Sequence, residues 1–309
     1  MLFSKKRLFF TTILCLESFC VLPKAHATEH LAPYLAGGST GTPTGALPPP
    51  GWYASNDTYF VSGQIVNKNG SKIGVKELIV ANAASLMWVT PLKILGASYA
   101  TSIRQSYAFR GIQLPNGKSA NNDGFFNTII TPGIFSWKLP NHLYNSVGFS
   151  IYIPDGSFRT TTDQNGNQTA SSYSYANHYW TFQPNYAISY LNQGWNITLN
   201  TILNFNTKNT ITHYQSGDLI YFDGTIEKKF NKLSVGLVGN YTNQFTKDTL
   251  NGSSANTAYN GNEFQSALLG PMVSYQLGKA NIMLRWMEPI YTKNSLKASF
   301  VHLSMSFKI

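Results

Sequence analysis

The chain has little cysteine, little charge and no long apolar run after residue 22. Both cysteines, Cys15 and Cys20, lie within the first 27 residues, so the remainder has no disulfide and no thiolate for a metal or a nucleophile. Charged residues make up 12% of the sequence, about half of the roughly 25% that is usual in soluble domains. No run of about 18 apolar residues follows Leu22, which excludes a membrane protein built from transmembrane helices.

Residues 1–27 have the layout of a cleaved secretory signal peptide. A basic start at residues 5–7 precedes an apolar stretch over residues 8–22 and a small-residue ending. The sequence therefore predicts cleavage between Ala27 and Thr28. A membrane-anchor helix is the alternative, but the unbroken apolar run is shorter than the roughly 20 residues that a span needs.

The net charge does not indicate a nucleic-acid partner. The formal charge is +10, and the predicted signal peptide holds four basic residues and one acidic residue, which leaves +7 for the remainder. These charges are spread along the chain without a run of Lys or Arg. We therefore expect no nucleic-acid binding.

Apolar and polar residues alternate with a period of two over much of the chain. Between Trp195 and Phe205 every second residue is large and apolar and its neighbours are Asn or Thr, apart from a swap at Thr201 and Ile202. The same alternation runs from Val301 to the last residue. Such strands have one apolar and one polar face. With the export signal and 14% aromatic residues, they predict a transmembrane β-barrel whose lumen is lined by Asn, Thr, Ser and Gln.

The predicted fold class is all-β: an up-and-down antiparallel barrel of about twelve strands over residues 51–309, in a Gram-negative outer membrane. Tight turns alternate with longer polar connections, which predicts periplasmic turns and outer loops. Because an unpaired backbone amide costs several kcal/mol in hydrocarbon, we expect the Tyr59–Val66 strand to close the barrel against the Phe300–Ile309 strand. The predicted tight turns are 91–93, 139–142, 192–193, 231–232 and 278–279. The predicted strands are 52–66, 76–90, 94–110, 124–138, 143–153, 176–191, 194–206, 217–230, 233–247, 263–277, 280–291 and 297–309.

Residues 28–50 are rich in Gly, Pro and Thr and cannot form regular structure of their own. We predict either a periplasmic lead-in or a plug in the barrel mouth. The expected partners of the whole chain are outer-membrane lipid, a small-molecule solute and the barrel-assembly machinery, which would bind the C-terminal strand. No cofactor is expected.

Five segments, in order along the chain, carry a family resemblance. They are Leu47–Tyr53, Lys93–Ala97, Gln183–Ala187, Asn209–Gly217, and Leu269–Pro271 followed by Tyr275. Together they resemble a family of outer-membrane transporters associated with the meta-pathway of phenol degradation. The resemblance implies an outer-membrane barrel that passes aromatic or other apolar compounds, and it supplies no catalytic residue.

Alternation also assigns candidate lumenal residues. In the strand 217–230, Tyr221, Asp223 and Glu227 share one phase, and Arg285 lies out of phase with its apolar neighbours. Together with Arg104 these residues are the predicted substrate pathway. The charged members could form a constriction that selects solutes, or they could pair with one another to satisfy a buried polar interior.

Other functions have weaker support in the sequence. A barrel enzyme would need a Ser beside an oriented His, and His302 near Ser304 has no carboxylate in obvious register. No two histidines stand at metal-ligand spacing, so no metal site is predicted. The alternative to a channel is a surface barrel whose loops, with polar tips such as 121–124, bind a partner. The interpretation favoured by the sequence is a passive channel for small aromatic or apolar molecules.

Overall fold

The structure is a computed structural model that describes residues 29, 31–163, 166–171, 174–254 and 263–309. The predicted signal peptide and its cleavage site at Ala27 and Thr28 lie outside these residues. Within them, no helix is long and apolar enough to cross a membrane. The strands are β1 (Gly51–Val66), β2 (Lys72–Ile94), β3 (Ala97–Gln113), β4 (Ser119–Phe125), β5 (Ile129–Lys138), β6 (Leu143–Tyr152), β7 (Thr160–Thr162), β8 (Gln168–Ala170), β9 (Thr181–Asn192), β10 (Trp195–Asn206), β11 (Tyr214–Gln215), β12 (Leu219–Phe230), β13 (Leu233–Gln244), β14 (Thr249–Leu250), β15 (Ser253–Ser254), β16 (Gln265–Leu277), β17 (Ala280–Lys293) and β18 (Ser295–Lys308).

The long strands form one closed antiparallel sheet. Each barrel strand pairs with its neighbours in sequence, and β1 also pairs with β18, so the ring closes. Both β4 and β5 pair with β3 and together fill one position, interrupted at residues 126–128. This gives twelve positions around the ring, which confirms the predicted barrel. The five short strands belong to two small sheets in the loops.

The closing ladder joins the two ends of the barrel without a break. It runs from Tyr53 opposite Lys308 to Val66 opposite Ser295, and it places Tyr59 opposite His302. The predicted pairing of the first and last strands is therefore confirmed. No strand of the ring is left with an unpaired edge at the closure, as a sheet in hydrocarbon requires.

The alternating faces follow the sequence. In β10, the exposed fraction is 44% for Ile197 and 46% for Leu199, whereas Thr198 and Asn200 are 5% and 4% exposed. The inward residues bond across the strands, as in the 2.7 Å contact between the hydroxyls of Ser189 and Thr198. The apolar face therefore meets lipid and the polar face lines the lumen, because buried polar groups need partners.

Two predicted turns are displaced by one to four residues. The turn predicted at 91–93 is wrong: β2 continues to Ile94 and the turn lies at Leu95 and Gly96, whose φ values are 50° and 78°. Pro91 sits where the β2–β3 register shifts between Val89 and Lys93. A proline cannot donate to the ladder, and such an irregularity accommodates it. The next predicted turn, at 192–193, lies at Gln193 and Gly194.

The connection between β6 and β9 alters two of the predicted strands, 124–138 and 176–191. The first is interrupted at 126–128, where Asn127 Nδ2 donates to the carbonyls of Ile153 and Asn177, at 2.6 and 2.8 Å. Residues 176–180 are loop, and β9 begins at Thr181. The predicted polar loop tip at 121–124 is also wrong, because these residues lie in β4.

An aromatic band marks the turn end of the barrel. Trp52 and Trp88 stack with ring centroids 5.5 Å apart, and Lys228 Nζ lies 5.0 Å from the Trp195 ring. All three tryptophans are more than a third exposed. This is the girdle expected where strands leave the hydrocarbon.

A charge placed on the lipid face should destabilise the barrel. We expect Leu199→Arg to cost about 2 to 4 kcal/mol, because an arginine near the bilayer midplane is poorly solvated. The free energy of unfolding would be measured by guanidinium titration in phospholipid vesicles with tryptophan fluorescence.

The matched control is Ile211→Arg. Ile211 is 40% exposed, close to the 46% of Leu199, but it lies in the loop before β11. The same substitution there should change stability by less than about 0.5 kcal/mol. Equal losses for the two variants would contradict the assignment of the lipid face.

Candidate functional site in the barrel lumen

The residues before β1 run through the lumen. At the loop end, Glu29 N donates to Ser216 Oγ at 3.0 Å and Asn209 Nδ2 donates to Glu29 Oε2 at 2.7 Å. Near the turn end, Leu47 N donates to Ser136 Oγ at 3.3 Å. Residues 29 and 31–50 are therefore called the lumenal segment. It connects the loop end to the start of β1 at the turn end.

Asp223 anchors the middle of the lumenal segment. Its carboxylate accepts hydrogen bonds from Tyr34 Oη at 2.6 Å, from Ser39 N at 3.0 Å and from Ser39 Oγ at 2.8 Å. Asn240 Nδ2 donates to it from the barrel wall at 2.6 Å. Asp223 is 1% exposed. Its charge is thus stabilised by four donors, three of them from the segment.

Tyr221 lies beside this anchor. It is fully buried, and its ring meets the Tyr34 ring edge to face with centroids 5.0 Å apart. Edge-to-face aromatic pairs contribute about 0.5 to 1.5 kcal/mol beyond the burial of their area. Tyr34 of the segment is therefore held both by its hydrogen bond to Asp223 and by its aromatic contact with Tyr221.

Arg285, on β17, holds the segment from a second part of the barrel wall. Its Nη1 donates to the Gly37 carbonyl at 2.9 Å, and also to the carbonyl and the hydroxyl of Thr40. Its Nε donates to His302 Nδ1 at 2.6 Å. Since Arg285 is 1% exposed, these bonds replace its hydration. A guanidinium is suited to this because it presents five donors in a fixed plane.

His302 links Arg285 to the ion pair of Asp57 and Arg104. Its Nε2 lies 2.9 Å from Asp57 Oδ1, and its ring stacks on Tyr59 with centroids 4.1 Å apart. Arg104 Nη2 is 2.9 Å from Asp57 Oδ2. An arginine has no acceptor, so Nδ1 of His302 must accept from Arg285 and Nε2 must carry the proton toward Asp57.

The expectation that no carboxylate is in register with His302 is wrong. Asp57 lies opposite Ser304 in the closing ladder, one inward position from the pair of Tyr59 and His302. The arrangement is nevertheless not that of a catalytic base. Both ring nitrogens of His302 are engaged, so neither is available to take a proton from Ser304.

The five predicted site residues face the lumen but do not pair with one another. Arg104 pairs with Asp57, and Asp223 and Arg285 bond to the lumenal segment. Glu227 accepts from Asn196 Nδ2 at 3.0 Å and from Ser274 Oγ at 3.4 Å. The sequence left two alternatives, a charged constriction and pairing of these residues with one another. The structure does not show the second, because each residue bonds to partners that the sequence did not indicate.

Beside a large apolar cluster around Tyr59 that packs on Leu31 and Leu35 of the segment, two smaller apolar patches in the lumen also contact it. One packs on Tyr34 and the other on Ala36. The first contains Ile202, the residue that breaks the alternation of β10, and the second contains Val238, which breaks that of β13. Out-of-phase apolar residues were therefore the sequence signal for this contact. The first patch is Ile202, Leu219, Tyr221 and Phe264, and the second is Val238, Leu268, Met272, Met283 and Met287.

The segment lies close against the backbone of the wall at Gly45. Gly45 N donates to Ser189 Oγ at 3.0 Å and its carbonyl accepts from Ser136 Oγ at 2.8 Å. A Cβ on Gly45 would lie 2.7 Å from Ser189 N and 2.8 Å from the Tyr144 carbonyl oxygen. Only glycine fits here, because those neighbours are backbone atoms of the barrel.

The loop end of the lumen is also polar and buried. Tyr214 Oη and Gly217 N donate to Asp248, at 2.5 and 2.6 Å. Burial raises the pKa of the Tyr179 phenol, and the carboxylates of Glu29 and Asp248 raise it further, so this phenol stays protonated. Within the described part of the chain, no group of three or more His, Cys, Asp or Glu could hold a metal ion.

Solved structures with a similar fold are outer-membrane barrels. The COG4313 outer membrane channel from Pseudomonas putida F1 superposes with a TM-score of 0.71 at 10% identity, over 85% of this chain and 97% of that one. The translocator domain of the autotransporter NalP from Neisseria meningitidis gives a TM-score of 0.51 at 9% identity, over 84% and 89%. At these identities the likeness shows the fold, an outer-membrane β-barrel. No curated protein matches the chain in sequence.

The family indicated by the five sequence motifs is confirmed by a match over most of the chain. The family model covers residues 62–304, which includes all but the first of those motifs. The chain belongs to the family described as "Putative MetA-pathway of phenol degradation".

Proposed function

We propose that this protein is a passive channel for small aromatic or otherwise apolar molecules, and that the lumenal segment closes it by occupying the lumen. A twelve-stranded barrel has a lumen wider than the eight-stranded barrels that side chains alone fill. Here the segment occupies that space. Passage then needs the segment to shift, and it needs no cofactor or energy source.

The observation that carries the proposal is the methionine-rich patch in the lumen. Met272, Met283 and Met287 lie together with Val238 and contact Ala36 of the segment. Methionine side chains are flexible and polarisable, and they adapt to apolar ligands of differing shape. A lumen for sugars or ions alone would have no use for this patch. Once the segment moves, the same surface is available to an apolar solute.

The bonds of the segment suit a closure that can reopen. Arg285 and Asp223 hold it through hydrogen bonds to backbone and hydroxyl groups rather than through ion pairs. Hydrogen bonds to charged groups contribute about 1.5 to 3 kcal/mol each. A displaced segment leaves these groups to water in the lumen, which recovers much of that energy. The closed form is therefore favoured without being irreversible.

Removal of the segment should open the barrel. A variant that lacks residues 28–46 is expected to have a larger single-channel conductance in planar bilayers, because the lumen is then unobstructed. Replacing the same residues with a Gly/Ser linker of equal length should give a similar increase, since it keeps the tether and removes the contacts. Unchanged conductance in both variants would reduce the segment to a tether.

Loss of the arginine anchor should make openings more frequent. Arg285→Ala removes the bonds to Gly37 and Thr40, and each 1.4 kcal/mol lost would raise the open population about tenfold. Arg285→Lys retains the charge without the planar fork and should give an intermediate effect. The readout is the open probability and the ion selectivity of single channels. If Arg285→Ala alters neither, Arg285 neither anchors the segment nor forms a charged constriction.

The methionine patch should determine the passage of apolar solutes. In cells that lack the native protein, the double variant Met272→Gln, Met283→Gln should take up less of a labelled neutral aromatic compound than the wild type does. The double Leu variant, which keeps the patch apolar, is the control. Equal uptake by the Gln and Leu variants, both shown to be folded by heat-dependent gel mobility, would contradict an apolar pathway through this patch.

A further inference from the structure

The positive charge of the barrel is concentrated at the turn end. Lysines occur at the turn-side ends of four barrel strands and in two of the turns. The nearest side-chain carboxylate is that of Glu227, four residues before the turn that follows β12. These residues are called the basic collar: Lys93, Lys138, Lys228, Lys229, Lys232, Lys279 and Lys308.

Charge elsewhere in the described barrel is close to balanced. In the middle of the lumen, Asp57 and Asp223 offset Arg104 and Arg285. At the loop end, basic residues are interspersed with carboxylates such as Asp123. The positive excess after the predicted signal peptide therefore lies almost entirely at one mouth. A charge polarity of this kind creates a directed field along the pore axis.

Four members of the collar share the lumenal phase of their strands. Lys93 is opposite Ser98, which is opposite Ser136, and Ser136 bonds to the lumenal segment. Cross-strand partners lie on one face of a sheet, so Lys93 and Lys138, two residues after Ser136, are on the lumenal side.

The other two lumenal members follow by the same argument. Lys229 is opposite the buried Ser234, and Lys308 Nζ donates to the Pro50 carbonyl at 3.0 Å, where the segment leaves the lumen. The four strands are distributed around the ring, and all four lysine side chains are exposed. The collar therefore surrounds the opening, and Lys228 beside Trp195 is the member that faces lipid.

A cavity opens beside the segment at this mouth. Its volume is about 330 Å³, and its lining includes Pro43 of the segment, Asn196, Glu227, Lys229 and Ser234. Glu227 is engaged by Asn196 and Ser274, whereas the Lys229 side chain is exposed. This open cavity is called the vestibule. It has an excess of positive charge around it.

We propose that the basic collar makes the turn-side mouth an anion-selecting vestibule, so that the channel favours solutes with a carboxylate, sulfonate or phosphate beside an apolar body. Rings of Lys or Arg select anions in pores. A potential of one kT already concentrates monovalent anions about threefold, and at physiological salt the field of each lysine extends about 8 Å. This inference rests on the proposed channel function.

The test is the reversal potential of the full-length protein in planar bilayers under a KCl gradient. The wild type should conduct chloride about threefold or more better than potassium, by the same concentration effect. The triple variant Lys93→Gln, Lys138→Gln, Lys229→Gln should move the permeability ratio toward one. Glu227→Gln should move it further toward chloride, because it removes a carboxylate that lines the vestibule.

The matched control neutralises three lysines at the loop end: Lys68→Gln, Lys72→Gln, Lys118→Gln. It changes the total charge equally and should leave the ratio unchanged. In liposomes, the wild type should pass benzenesulfonate faster than phenyltrimethylammonium, a cation of similar size, and the collar variant should lose this preference. Equal ratios in the collar variant and the control would overturn the proposal, as would a wild type without anion preference. A wild type that carries neither current nor solute would instead refute the channel function itself.

Discussion

The hydrogen-bonded ladder between β1 and β18 is the constraint on which the rest of the structure depends. It pairs the backbone from Tyr53 opposite Lys308 to Val66 opposite Ser295. In hydrocarbon there is no water to satisfy a free strand edge, so a sheet that spans the membrane must close on itself. Closure then gives every strand one lipid face and one lumenal face. It also brings Asp57 and His302, far apart in sequence, into one cluster.

Closure with twelve strands creates an interior that side chains of the wall cannot fill. The lumenal segment solves this problem with main-chain groups as well as side chains. Its carbonyls accept from Arg285, and its amide and hydroxyl groups donate to Asp223. Arg285 and Asp223 would be costly in an unfilled, poorly hydrated interior, and the segment thereby satisfies them without an ion pair between the two. The segment and the inward charges of the wall therefore depend on one another.

The same arrangement separates the His302 cluster from a catalytic triad of the same residue types. A His beside a Ser and an Asp occurs at the closing ladder, as a triad would need. The orientation of the hydrogen bonds decides against a triad here, because Nδ1 of His302 accepts from Arg285 and its Nε2–H donates to Asp57. What looks like a catalytic set in composition is here a link between the anchor of the segment and the barrel wall.

The sequence by itself determined the barrel, its strand number, the closing pair and the direction in which most side chains point, because alternation of period two is a local property that closure preserves. It also placed Tyr221, Asp223, Glu227 and Arg285 on the inner face. It could not supply their partners. His302 and the carbonyls of Gly37 and Thr40 meet Arg285, and Asp57 meets His302, through contacts between residues about 17 to 250 positions apart. Such contacts follow from ring order and register. The out-of-phase Ile202 and Val238 marked the contact surface of the segment, but their meaning depended on knowing that residues before β1 fold back through the lumen. Local pattern fixes which way a side chain faces, whereas only the closed tertiary structure decides what it meets there.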